Sequence, residues 1–180
     1  VEIIELAMVK LITWWKEHKL GKFGFTSPSL AMAAFRHMNK KVDILAHQEP
    51  EVRCLERDSY FGGQLETYHI GDINEKLYQY DVASLYPYVM KDRRYPVHLK
   101  EYHISEQATT GLPAIDPSCS IAQVFICSPE ETFPIRVKQG IMYMNGNGWI
   151  TLAGPELAYA YKKGYIFATR SWATYVCKTL

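Results

Sequence analysis

The chain has 180 residues, with 48% hydrophobic and 22% charged, a balance normal for a soluble globular protein, for which disorder is not the default, and one that suits one ordinary domain or pieces of two. Twenty basic and nineteen acidic residues leave a net charge of +1, so no overall basic field announces nucleic acid, although a local groove can still be basic. Every long apolar run is broken by charges, and no basic stretch leads into an apolar core and a small-residue cleavage site. Neither a membrane span nor a secretory signal is therefore expected. Cys54, Cys119, Cys127 and Cys177 are widely spaced with no C-x-x-C pair, the pattern of reduced thiols in a cytoplasmic protein rather than a zinc site or a disulfide framework.

From the start, Ile3, Ile4, Ala7, Met8, Leu11, Trp14 and Trp15 are spaced for one face of a helix over Val1 to His18. No capping residue precedes this run, which predicts a fragment with sequence upstream of Val1. A second helix is expected from Ser27 as N-cap and Pro28 at the first helical position, running to about Asn39. Val42 to Asp58 is charged and less regular, and reads as a connection with room for a short strand.

From Tyr60 the sequence becomes alternating and aromatic. Gln64–Ile70 and Lys76–Val82 read as strands joined by the turn Gly71-Asp72-Ile73-Asn74, and Ser84 to Met90 as a short helix. Glu106 to Ser120, rich in Gly, Pro and Thr, reads as a surface loop. Strands are expected at Ile121–Cys127, Ile135–Lys138, Ile141–Met144 and Trp149–Leu152. A helix over Pro155–Lys163 should stop at Gly164, and a last strand should cover Tyr165–Val176. The pattern is α+β, without repeats.

Two motifs concentrate the chemistry. In Tyr80-Asp81-Val82-Ala83-Ser84-Leu85-Tyr86-Pro87, a carboxylate ends a strand and a tight turn leads into a helix. The carboxylate offers Mg²⁺ a hard oxygen, the backbone N–H groups of the turn can face phosphate oxygens, and Tyr86 can wall a sugar. In Tyr60-Phe61-Gly62-Gly63, ahead of Gln64-Leu65-Glu66, two glycines free the backbone to approach a ligand beside a tyrosine.

The first string closely resembles motif A of family B DNA polymerases, D-x-x-S-L-Y-P, at Asp81, Ser84, Leu85, Tyr86 and Pro87. The resemblance implies that Asp81 binds both catalytic metal ions and that the Val82 carbonyl helps hold the nucleotide metal. It implies that the Ser84 and Leu85 amides contact the incoming triphosphate, and that Tyr86 stacks beneath the deoxyribose as a steric gate. Tyr60, Gly62 and Gly63 match the family's Y-x-G-G element, which binds the DNA strand in the linker between exonuclease and polymerase domains. The remainder is similar to the protein-primed branch found in bacteriophages, adenoviruses and linear plasmids. Residues 1–58 resemble the helical end of an exonuclease domain with its linker. Residues 59–92 resemble part of a palm with motif A, and 93–180 an inserted α+β subdomain that in relatives contacts the terminal protein and template. Pro155-Glu156-Leu157 through Gly164-Tyr165 matches the E-L plus G-Y pattern at that insertion's end.

What the resemblance implies is DNA-directed DNA synthesis from dNTPs with two Mg²⁺ ions, with primer-template DNA and a terminal protein as partners and the host compartment of a virus or plasmid as location. The sequence departs from the family by lacking a D-T-D-like motif C, the lysine-bearing motif B with its N-S-L-Y-G-like string, and the exonuclease carboxylate motifs. Asp81 alone should hold Mg²⁺ weakly, so the chain by itself is expected not to polymerise DNA. The alternative is a non-catalytic nucleic-acid or protein-interaction module of polymerase-derived fold. Its stacking surface would come from thirteen tyrosines and four tryptophans, and its phosphate path from Lys91, Arg93, Arg94, Lys100, Arg136 and Lys138.

Overall fold

The computed structural model describes residues 2–39, 43–63, 67, 69–138 and 140–179. The chain divides into two compact units between Asp43 and Ile44.

The first unit is helical. Helix α1, Glu2–Glu17, places glutamates in its first turn and Lys16 in its last, the arrangement the helix dipole favours. Of its apolar stripe, Trp15 is buried while Ile3, Ile4 and Trp14 remain exposed. The Trp15 indole N–H donates to the Gly21 carbonyl at 2.9 Å, and its ring meets Phe23 edge-on at 6.0 Å. Helix α2, Ser27–Ala34, is capped one residue earlier than Ser27. Thr26 takes the N-cap because Ser29, three residues on, completes a reciprocal box with it: Ser29 N–H donates to Thr26 Oγ1 at 3.3 Å and Thr26 N–H to Ser29 Oγ at 3.2 Å. Gly24 is required there, since a methyl group at that position would collide with the Ser29 side chain. A π-helical turn, Phe35–Asn39, follows.

The second unit is an antiparallel sheet with a helix on each face. Helix α3 is Pro50–Asp58, α4 is Leu85–Asp92 and α5 is Gly154–Lys162. The strands are β1 (Arg94–His103), β2 (Thr109–Thr110), β3 (Ser120–Val137), β4 (Gly140–Ala153) and β5 (Ile166–Thr179). Their order is β1-β5-β3-β4, with β2 also on β5 and every pairing antiparallel. Along β3, Ala122, Val124 and Ile126 are fully buried and pack with Phe133, Ile150, Leu152 and, from α5, Leu157 and Ala160. Ile121, one residue out of phase, faces the other side, where Val52 and Leu55 of α3 close on Ala173. The two faces thus carry separate cores under α5 and α3.

Several expectations change. The Val42–Asp58 connection contains α3, missed because only Val52 and Leu55 turn inward on an otherwise polar helix. Strands expected separately at Ile121–Cys127 and Ile135–Lys138 are one strand, β3, and those at Ile141–Met144 and Trp149–Leu152 are one strand, β4. The pairing jumps from Ser128↔Gly146 to Phe133↔Met144, so the intervening residues bulge and break the alternation that periodicity follows. The expected loop at Glu106–Ser120 includes β2 and a 3₁₀ turn, Pro117–Cys119. Strand β1 was not foreseen: it is an edge strand with only Val97 buried, and it carries Pro96, which edge strands tolerate.

Among the described residues, Lys76–Val82 joins no ladder. Its expected partner, Gln64–Ile70, includes Gln64, Leu65, Glu66 and Tyr68, which lie outside the described residues, as does Val1 at the start of α1. A single hairpin without further strands is marginal in water, so alternation alone did not secure a sheet position. The helix expected over Ser84–Met90 is present as α4, and Gly164, at φ +73°, ends α5 as expected.

Candidate functional site

Both motif segments lie in the second unit. Asp81 and Val82 are exposed, after a segment in which the side chains of Lys76, Tyr78 and Tyr80 lie together. Tyr78 and Tyr80 stack at 6.5 Å between ring centroids, and the Lys76 ammonium sits 5.1 Å from the Tyr78 ring.

The chain then turns sharply. Ser84 adopts a left-handed conformation at φ 55°, ψ 33° and begins α4 without a side-chain cap. The Leu85 amide donates to the Val82 carbonyl at 3.2 Å, and the Tyr88 amide to the Ser84 carbonyl at 3.0 Å. Val82, Ala83, Ser84, Pro87, Tyr88 and Lys91 line an open depression of about 520 Å³. Ser84, Tyr88 and Lys91 recur at helical spacing, so one face of α4 brings a lysine to the side of the turn where the Ser84 backbone lies. Tyr86 points elsewhere on α4; it is 79% exposed and does not line the depression. Asp81 and Leu85 do not line it either.

Metal fit follows from these donors. The segment offers the Asp81 carboxylate and the Val82 carbonyl, the latter already accepting the Leu85 amide. Among the described residues, no three His, Cys, Asp or Glu side chains gather where they could hold a metal ion. Two oxygens by themselves do not fit a pair of Mg²⁺ ions, which demand clustered oxygen ligands.

The Y-x-G-G element leaves the end of α3. The Ser59 amide donates to Leu55 O at 3.1 Å and the Tyr60 amide to Arg57 O at 3.3 Å, closing the helix. Tyr60 is 73% exposed, and a Cβ added at Gly62 or Gly63 would meet nothing within 4 Å among the described residues. Arg136, near the end of β3, donates to the carbonyls of Asp58 and Tyr60 and places its guanidinium 4.6 Å over the Phe61 ring. Among the described residues, no hydrogen bond or ring contact joins Tyr60, Gly62 or Gly63 to the Asp81–Tyr86 segment.

The basic residues expected on a phosphate path divide into two groups. Arg136 is engaged as described, and Arg94 donates from Nε and Nη2 to the Cys177 carbonyl at 3.3 and 2.9 Å. Lys91, Arg93, Lys100 and Lys138 are exposed, with Lys100 3.5 Å from Glu101. No helix among the described residues is long and apolar enough to cross a membrane.

A family model described as DNA polymerase type B, organellar and viral, matches residues 22–176. A curated protein of Neurospora intermedia, named as a probable DNA polymerase, is 38% identical over 77 residues, which is 43% of this chain and 8% of that protein. No solved structure matches. The family match takes in the Tyr60 element, the Asp81 motif and nearly the whole sheet, and the chain belongs to the type B DNA polymerases of organelles and viruses.

Proposed function

We propose that this chain contributes the motif A carboxylate and the DNA-contacting linker element to a DNA-directed DNA polymerase that transfers nucleotides from dNTPs and starts on a terminal protein. The observation that carries this reading is the Asp81–Pro87 string at a sharp turn that opens a helix, within a chain of the polymerase family. In that enzyme Asp81 is one carboxylate of a two-Mg²⁺ site whose remaining ligands come from segments absent from this sequence. Tyr86 limits the sugar pocket, and the Ser84 and Leu85 amides face the triphosphate. For the Leu85 amide to do so, its bond to the Val82 carbonyl must be exchanged for one to a phosphate oxygen. Tyr60, Gly62 and Gly63 contact the DNA strand. The match covers 8% of the Neurospora protein, so activity, substrates and partners are properties proposed for the larger polymerase.

The test is to read the source gene on both sides of this chain. A frame that reaches a lysine-bearing N-S-L-Y-G-like helix and a D-T-D-like hairpin supports the reading. A stop codon directly after Leu180 contradicts it. The isolated 180-residue chain is expected to incorporate no dNTP on a primed template.

The exposed row Lys76, Tyr78, Tyr80 favours a second reading, a binding module that needs no catalysis. In that case Asp81→Asn changes nothing, whereas Tyr80→Ala weakens single-strand binding.

A further inference from the structure

Arg136 lies far in sequence from the Y-x-G-G element, yet its side chain meets three successive parts of that element's approach. Nη1 reaches the Asp58 carbonyl at 3.5 Å, Nη2 donates to the Tyr60 carbonyl, and the guanidinium plane covers Phe61 at 4.6 Å. The Asp58 carbonyl belongs to the last turn of α3, where helix carbonyls lack intrahelical partners and a cation is favoured. The planar fork of arginine suits this arrangement because it donates in two directions while its face lies on an aromatic ring. Arg136 itself sits on the β3–β4 hairpin, paired with Ile141.

The consequence is a chain fixed on one side and open on the other. The backbone is held up to Phe61, while the Tyr60 ring and the backbone of Gly62 and Gly63 stay accessible. Two consecutive glycines lose more backbone freedom on ordering than other residues, so an anchor immediately before them lowers the cost of binding a strand. We infer that Arg136 is a positioning residue for the DNA-contacting element, preorganising Tyr60, Gly62 and Gly63 without itself contacting a phosphate. This rests on the proposal that the element binds DNA.

The experiment measures affinity of the full chain for a fluorescent oligo-dT strand at several salt concentrations. Arg136→Ala should weaken binding about 3- to 10-fold, and Arg136→Lys should weaken it equally, because a lysine supplies the charge but not the fork. The salt slope should match the unaltered chain, and Arg136→Ala should weaken binding less in a Tyr60→Ala background than in the unaltered chain. Phe61→Leu, which removes the ring beneath the guanidinium, should weaken binding in the same direction, and it decides the matter if Arg136→Ala fails to fold by circular dichroism. Rescue by Arg136→Lys, with a salt slope lowered by roughly 0.7 in Arg136→Ala, would mean a direct phosphate contact and overturn the inference. So would a loss of affinity in Tyr60→Ala with none in either Arg136→Ala or Phe61→Leu. If Tyr60→Ala binds as well as the unaltered chain, or that chain does not bind, the DNA-contact reading fails instead.

Discussion

The hydroxyl of Tyr175 on β5 donates to Glu56 Oε1 on α3 at 2.7 Å, tying the last strand to a helix 119 residues earlier. His47 Nε2 lies 2.9 Å from the same oxygen, so one carboxylate joins three separate segments of the second unit. Burial, and then the bond to Glu56, push the Tyr175 phenol well above the ordinary tyrosine value of 10.0. Its protonated form is therefore favoured in the folded state. The stabilisation is complete below about pH 10 and declines as pH rises beyond it. Tyr175→Phe should lower stability by about 1–2 kcal/mol at neutral pH in urea unfolding and should flatten the alkaline decline. An unchanged alkaline limb would contradict this buried, protonated state of the Tyr175 phenol.

A second carboxylate does similar work at the bulge of β3. Glu130 accepts from Tyr159 at 2.7 Å, Tyr165 at 3.0 Å and Lys163 at 3.4 Å, which joins the bulge to the end of α5. The hydroxyl of Tyr159, then that of Tyr165, hold its pKa below the usual value of 4.5; burial opposes them, and Lys163 adds a lesser lowering effect. A depressed pKa contributes stability above the unfolded-state value and loses it as pH falls through the folded one. Thermal melts of Glu130→Gln between pH 3 and 6 should therefore vary less with pH than those of the unaltered protein. Equal pH dependence would contradict the assignment.

Leu157 of α5 is fully buried and belongs to the larger core together with Val124, Ile126 and Leu152. Leu157→Ala should cost about 2–5 kcal/mol by denaturant unfolding, whereas Leu157→Met should cost less than about 1.5 kcal/mol. Similar costs for both would indicate a loosely packed core.

How much of this was legible in the sequence depended on the kind of signal. Helix α1, the helix from Leu85 and the Gly164 stop were readable because each carries a local mark: a periodic stripe, a turn before a helix, a glycine at positive φ. The long strands were not, because the bulge after Ser128 and the glycines Gly146 and Gly148 interrupt alternation that only the paired ladder restores. Strand β1 lies at an edge, where polar residues on both faces hide it. Of the site, the Asp81 motif and Tyr60 element were readable as strings, but the engagement of Arg136 with Tyr60 joins distant residues and has no sequence signature.

The four cysteines are free thiols and differ in access. Cys54 and Cys127 are exposed, while Cys119 and Cys177 are buried, and burial followed by the bond to Cys119 pushes the Cys177 thiol up to about 12. Because the thiolate is the reactive form, a native thiol titration should label Cys54 and Cys127 promptly and the other two only on unfolding. Rapid labelling of Cys177 in the folded protein would contradict this environment.

The most direct test of the proposed function is primer extension by the full product of the gene that encodes this chain, with and without Asp81→Asn. The substitution should lower dNTP incorporation by about a hundredfold or more while DNA affinity at fixed salt stays unchanged. Undiminished synthesis by Asp81→Asn would contradict the proposed function, because the carboxylate of the Asp81–Pro87 motif would then have no part in the chemistry.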